Sequence, residues 1–430
     1  MQLKSGKITS DNIMLFAIVL LVLLTCLPIT MCLPGIARNL LQIIAMASFF
    51  IGLAKSKDKS MLALFILIVA IMGLRVYEVW QYKSGLVSCV FNVYSGWAFA
   101  FYGFSLYKEN DKEKCRKIFL FLIILLSIVA ITTIIGIQKY PLAVRELGRK
   151  TASYSGLRGD DFSALKFEYR IMNIAGWNLL YGMVYVVPAV LYAFMKSKKK
   201  YLLVSMFLIE LCIVFSQLTF AVLLSIALIV MCVVRPSMQK HVFALDAILV
   251  MIGIFAVINL DSIVLLMVTI TGGMGMVMLS NKLNDLFLLL NGVNSGDALS
   301  RTEVYSKSLE VFEKHPVFGQ SIYGIPGPDM FSFHSDFFDM IAYYGLFGLL
   351  LTVIGIVIYY RFISRTSAPK WLTFVLFMGF LGMYVFNPVW YSPQIFIGTF
   401  MMPALLSVIL PESEGINTSA DLKSNYLQNI

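Results

Sequence analysis

Between residues 138 and 170 the chain carries Lys139, Arg145, Arg149, Lys150, Arg158, Lys166 and Arg170 against Glu146, Asp160, Asp161 and Glu168, a net charge of +3. Guanidinium forks suit phosphate oxygens because they donate two parallel hydrogen bonds to one anion. Two uses fit this pattern: a solvated loop lying against anionic lipid headgroups, and a site for an anionic, membrane-anchored substrate. A second constellation lies further on. Ser300-Arg301-Thr302-Glu303 reads as a capping box with Ser300 as N-cap, and Val304, Tyr305, Leu309, Val311 and Phe312 follow mostly at helical spacing as far as His315-Pro316. Arg301 then occupies the first helical position, where the dipole is already positive. There it either faces water or joins the free N–H groups in a seat for phosphate or pyrophosphate. His334-Ser335-Asp336 opens the next long apolar run. A neutral imidazole at a helix entry can take a proton from a hydroxyl, or act as a polar cap.

These groups sit in an apolar chain. Of 430 residues, 59% are hydrophobic and 13% charged, and mean hydropathy is +0.83. Soluble domains carry roughly 25% charged residues, so an ordinary water-soluble enzyme is excluded. About twenty apolar residues span a bilayer core as a helix. Twelve such runs are legible, at 13–33, 36–54, 61–74, 89–107, 118–137, 171–195, 201–215, 218–234, 242–259, 336–360, 371–387 and 394–410. The expectation is an all-α polytopic membrane protein with about 12 transmembrane helices. It forms a single transmembrane domain over 1–430, with large external loops at 138–170 and 260–334. With the N-terminus inside, 20 of the 34 Lys and Arg fall in the short inner segments, so basic density is several-fold higher there. The first run is too long for a signal peptide and reads as an uncleaved helix. Residues 262–279 are apolar enough for a further span. Their Thr and Gly content, and the orientation that a crossing would impose on 361–370, fit an interfacial or re-entrant segment better.

Several chemistries are excluded. The six cysteines follow no CxxC spacing and the chain has three histidines, so a zinc site or multi-His metal centre is not expected. No Gly-x-x-x-x-Gly-Lys-Ser/Thr loop occurs, which removes an ATP-driven pump. Glu210 and Asp246 stand out as carboxylates within apolar runs, with no role assigned.

The order of pieces from Arg301 through Glu310-Val-Phe-Glu-Lys-His-Pro-Val-Phe-Gly319 to His334-Ser-Asp-Phe-Phe-Asp-Met-Ile-Ala-Tyr-Tyr-Gly345-Leu-Phe-Gly348 resembles the bacterial O-antigen ligase/polymerase superfamily. Members show an Arg, a helix ending in a Pro-x-x-Gly turn, and a His opening a span with a Gly-Leu/Ile-x-Gly stretch. The resemblance implies glycosyl transfer at the outer face of the plasma membrane from an undecaprenyl-pyrophosphate-linked glycan, as in a Wzy-type O-antigen or capsule polymerase. A ligase acting on another acceptor is the nearest alternative, and a multi-pass transporter or flippase the alternative from another class. On this resemblance Arg301 would stabilise charge on the leaving pyrophosphate, helped by Arg145, Arg158 and Arg170, while His334, assisted by Asp336, would orient or deprotonate the attacking hydroxyl. No metal or other cofactor is expected. The lipid bilayer, the lipid-linked glycan and a chain-length regulator are the expected partners, and nucleic acid is not one. One departure is local: the family often has Ser-Arg where this chain has Ser216-Gln217, so that arginine's role would fall to the 138–170 loop.

Overall fold

The computed structural model describes residues 9–56, 59–82, 85–148, 159–238, 260–291, 297–323, 335–365, 369–390 and 392–410. Among them the protein is all-α, without a β-strand. The helices are α1 (Ser10–Cys26), α2 (Gly35–Lys55), α3 (Lys59–Tyr82), α4 (Leu86–Glu109), α5 (Lys112–Lys139), α6 (Ala143–Leu147), α7 (Gly159–Ile171), α8 (Trp177–Ser197), α9 (Lys200–Phe215), α10 (Thr219–Met238), α11 (Leu260–Gly273), α12 (Val277–Leu290), α13 (Asp297–Lys314), α14 (Asp336–Arg365), α15 (Lys370–Phe386) and α16 (Pro393–Ile409). Eleven of the twelve apolar runs contain a helix, and the run 242–259 lies outside the described residues. Four described helices are long and apolar enough to cross a membrane: α2, α5, α8 and the Asp336–Ile358 part of α14. Six shorter apolar helices accompany them.

The burial pattern is that of a bundle in lipid. Helix α5 turns Leu122, Leu126, Val129 and Thr133 inward but leaves Ile124, Ile128, Ile131 and Ile135 exposed along one stripe. A helix apolar on its exposed face needs an apolar solvent. At the centre, α4 from Val93 to Gly103 and α8 from Leu179 to Ala193 are buried on every face. The C-terminal α16 packs against both at backbone distance. A Cβ at Gly398 would come within 2.5 Å of Tyr185 Cβ, and one at Gly182 within 2.6 Å of Gln394 Cβ. Small residues at crossings bring backbones together where no hydrophobic effect drives helices together. Within α16, Ile397–Met401 forms a π-helical turn just before Pro403, whose missing N–H breaks regular α pairing there.

The two ends of the bundle are tied differently. At one end Lys114 of α5 pairs with Asp11 of α1 and with Glu109, at 2.9 Å, of α4. At the opposite end the ties are longer in sequence: Gln394 Nε2 donates to the Thr25 carbonyl at 2.8 Å, Ser392 to Asn178 at 3.1 Å, and the Ile29 amide to Asn173 at 3.3 Å.

Two expectations change here, and the run 262–279 proves not to be one helix. It breaks at Met274–Met276, around Gly275 at φ +71°, into α11 and α12. At 1.5 Å per residue each is about 21 Å long, short of a hydrocarbon core of roughly 30 Å. The run 171–195 is interrupted as well, because α7 ends at Ile171 and α8 starts only at Trp177. Helix α3 continues past residue 74, carrying Arg75 into the interior.

The Pro-x-x-Gly turn has a structural job. Gly319 (φ +65°) and Gly345 (φ +61°) face each other, and a Cβ on Gly345 would lie 2.5 Å from the Pro316 carbonyl oxygen. The Leu346 and Phe347 amides donate to the carbonyls of Pro316 (2.8 Å) and Val317 (3.2 Å). Helix α14 kinks at Gly345, and the freed amides bind the turn that follows α13.

Candidate functional site

Helix α15 stops at Phe386 and α16 starts with Pro393 at its first position. The chain between them, Asn387-Pro388-Val389-Trp390, cannot be helical through its proline, so its amides need other acceptors. Asp336 supplies one: Oδ2 accepts from the Val389 amide and, at 3.0 Å, from the Trp390 amide, while Oδ1 accepts from Arg75. Asp336 is wholly buried and Arg75 is 4% exposed. Ser335 caps α14 through its Oγ, which accepts from the Phe338 amide at 3.1 Å. Tyr344 Oη donates to the Leu74 carbonyl at 2.9 Å and fastens the same two helices from a position eight residues further along α14. Asp336 was expected to help His334 act on a hydroxyl. In the structure its two oxygens tie α3, α14 and the 389–390 backbone together. The sequence missed Arg75 because its partner lies 261 positions away.

Close to the same end, a cavity of about 160 Å³ opens between α1, the 3₁₀ turn Pro28–Cys32, α7, α8 and α16. Leu24, Leu27, Pro28 and Trp177 form apolar walls, and Arg170, Asn178 and Gln394 are its principal polar side chains. Arg170 stands in the last turn of α7, where a cation complements the dipole. Among the described residues no carboxylate pairs with it. Burial pulls its pKa below the ordinary arginine value, with Cys32 opposing and Arg38 adding to the shift. Sequence reasoning found Arg170 but not Trp177, Asn178 or Gln394. The Pro-x-x-x-x-Pro-Gln break at 388–394 is the signal that could have pointed there.

Arg145 is already engaged. Its guanidinium donates to the Gln217 carbonyl at 2.7 Å, although its buried Nε has no acceptor. Gln217 adopts a left-handed conformation (φ +55°), and its side-chain oxygen accepts from the Met278 and Leu279 amides at 3.1 and 3.4 Å, capping α12. An arginine from the 138–170 region thus binds the backbone at Gln217. Next to it, Tyr169 Oη donates to the buried Glu146 at 2.7 Å and Tyr140 Oη to Glu168 at 2.5 Å, with the phenol rings 5.0 Å apart. Burial and then the Glu146 hydrogen bond push the Tyr169 pKa up.

Helix α13 begins at Asp297, so Ser300 falls inside its first turn and Arg301 is its fifth residue, not its first. The helix starts four residues earlier than the capping box suggests. The Arg301 side chain lies outside the described part of the structure, as do Arg158 and His334 themselves. Helix α13 docks on the cavity's end of the bundle. The Tyr305 ring stacks on Phe338 at 4.9 Å and Tyr305 Oη donates to the Phe386 carbonyl at 3.4 Å, while Ser308 bonds Asp339 at 3.4 Å. Asp246 is outside the described residues, and Glu210 accepts from Ser225 at 2.5 Å between α9 and α10.

No known protein family, curated protein or solved structure matches this chain.

Proposed function

We propose that the protein is a multi-pass glycosyltransferase of the plasma membrane that polymerises undecaprenyl-pyrophosphate-linked oligosaccharide repeat units at the outer face. In this reading about twelve helices cross the bilayer and both termini are cytoplasmic. The observation that carries it is a gathering at one end of the bundle. Arg145, the half-buried Arg170 beside an open cavity, the helix that bears Arg301 and the entry of α14 directly after His334 all meet there. A departing pyrophosphate gains negative charge as the glycosidic bond breaks, and preorganised guanidinium groups stabilise that charge as it grows. Arg301, helped by Arg145, Arg158 and Arg170, serves the pyrophosphate, and His334 orients or deprotonates the acceptor hydroxyl. The Arg75–Asp336 pin fixes the start of α14, two residues after His334 in the sequence.

A ligase would use the same groups with a different acceptor. A carrier is the second reading, favoured by the buried Arg75–Asp336 pair, since ion pairs inside membrane bundles often mark transport paths. Purified protein given lipid-linked repeat units distinguishes them: a polymerase lengthens the glycan, a ligase transfers it only to a second acceptor, and a carrier moves it unchanged across a vesicle. Arg301→Ala and His334→Ala are each expected to slow chain growth by roughly a hundredfold or more. Near-normal growth in both variants overturns the assignment.

A further inference from the structure

We propose that the chamber between α1, α7, α8 and α16 binds one sugar ring that carries an anionic substituent, a phosphate or a carboxylate. The volume fits a single ring. A closed cavity of about 150 Å³ takes benzene in other proteins, and this one, at about 160 Å³, is also open on one side. The polar groups are set for hydroxyls. Gln394 Nε2 is spent on the Thr25 carbonyl, and Oε1, which has no donor among the described residues, is covered and accepts from a ligand hydroxyl once the side chain turns toward the chamber. Asn178 has its oxygen taken by Ser392, which leaves its amide N–H groups to donate. An acceptor and a donor held by different elements on one wall match adjacent hydroxyls, each of which both gives and takes a hydrogen bond. Trp177 and Leu27 offer the apolar surface that a sugar's C–H face needs.

The charge is accounted for in the same way. Arg170 reaches the chamber with no carboxylate partner among the described residues, and its charged neighbours are Arg38 and Lys166. A guanidinium fork held among cations at the mouth of a half-closed site recognises a planar or tetrahedral oxyanion. Glycosyl phosphates and uronic acids share this combination of hydroxyls on a ring with an anion at its edge. The proposal takes from the glycosyl-transfer reading only that the ligand is glycan-derived, and the binding it describes does not depend on turnover.

The test uses the full chain in phosphatidylcholine nanodiscs, which bring no sugar headgroup, and reads binding by saturation-transfer NMR. The probes are glucose 1-phosphate, glucuronate, glucose, inorganic phosphate and glycerol 3-phosphate. At least one anionic sugar is expected to bind more tightly than glucose, phosphate or glycerol 3-phosphate, and which one binds names the anion. Arg170→Gln should weaken that probe roughly tenfold, the loss of one charge-assisted contact, and Gln394→Leu should weaken the anionic sugar and glucose alike. Absence of transfer from both anionic sugars at about 10 mM, where one-ring ligands of even low efficiency register, overturns the proposal. Unchanged binding in Arg170→Gln does so too, as does phosphate or glycerol 3-phosphate binding as tightly as the sugars. Chain growth that is insensitive to Arg301→Ala, with sugar binding intact, would instead sink the enzymatic reading and leave the chamber standing.

Discussion

Two arginines near the same end of the bundle meet opposite fates. Arg75 lies on a long helix, 4% exposed, with its charge answered by Asp336 and that carboxylate in turn holding two backbone amides. Arg170 lies on a short helix, half-buried at the edge of an open cavity, with no carboxylate partner among the described residues. A buried charge survives only when its partner is supplied by the fold, because removing one member strands the other in low dielectric. The first arginine therefore belongs to the architecture. The second keeps its fork available at a place where a ligand can reach it. Cost to stability and cost to binding should separate accordingly.

The largest effect is expected from Asp336→Ala, which takes the buried carboxylate away from Arg75 and from the amides of Val389 and Trp390. Removing one partner of a buried pair costs about 3–5 kcal/mol, read as a large drop in melting temperature in nanodiscs, and Asp336→Asn should recover part of it. Gly345→Ala comes next. Its φ of +61° with ψ −144° is a backbone region closed to side chains, and the added methyl would strike the Pro316 carbonyl. A loss of about 1–3 kcal/mol, with faster proteolysis in the 315–323 turn, is the expected outcome. Arg170→Gln should be the mildest, within about 0.5 kcal/mol of the parent by the same melting measurement. A loss for Arg170→Gln as large as that for Asp336→Ala would erase the contrast between the two sites.

Much of the fold was legible because helices in a bilayer announce themselves by length and composition. Ser335-Asp336 opening an apolar run marked the start of α14 correctly, since capping chemistry is local. Interactions across the chain were not legible. Nothing near Arg75 announces a carboxylate from α14, so the apolar run was ended just before it. Gly272, Gly273 and Gly275 warned against a continuous span, but hydrophobicity on both sides of Gly275 hid where the helix would stop. At the site, Arg145 and Arg170 could be picked by charge alone. Asn178 and Gln394 look like ordinary polar residues at helix ends until α16 brings them to the same wall. The Pro316–Gly319 turn and Gly345, noticed as motif, prove to be mutual packing partners joined by backbone hydrogen bonds.

The segment from Asn387 to Gln394 also bears on the order in which this molecule can be made. Asp336 is synthesised about fifty residues before the two amides that complete its coordination, and the inner faces of α4 and α8 stay bare until α16 arrives. A chain released by the ribosome before that point would present a half-satisfied carboxylate and uncovered glycine grooves to lipid. Completion of this core thus waits on the α15–α16 hairpin, and premature stop codons upstream of it should yield products that membrane proteases clear.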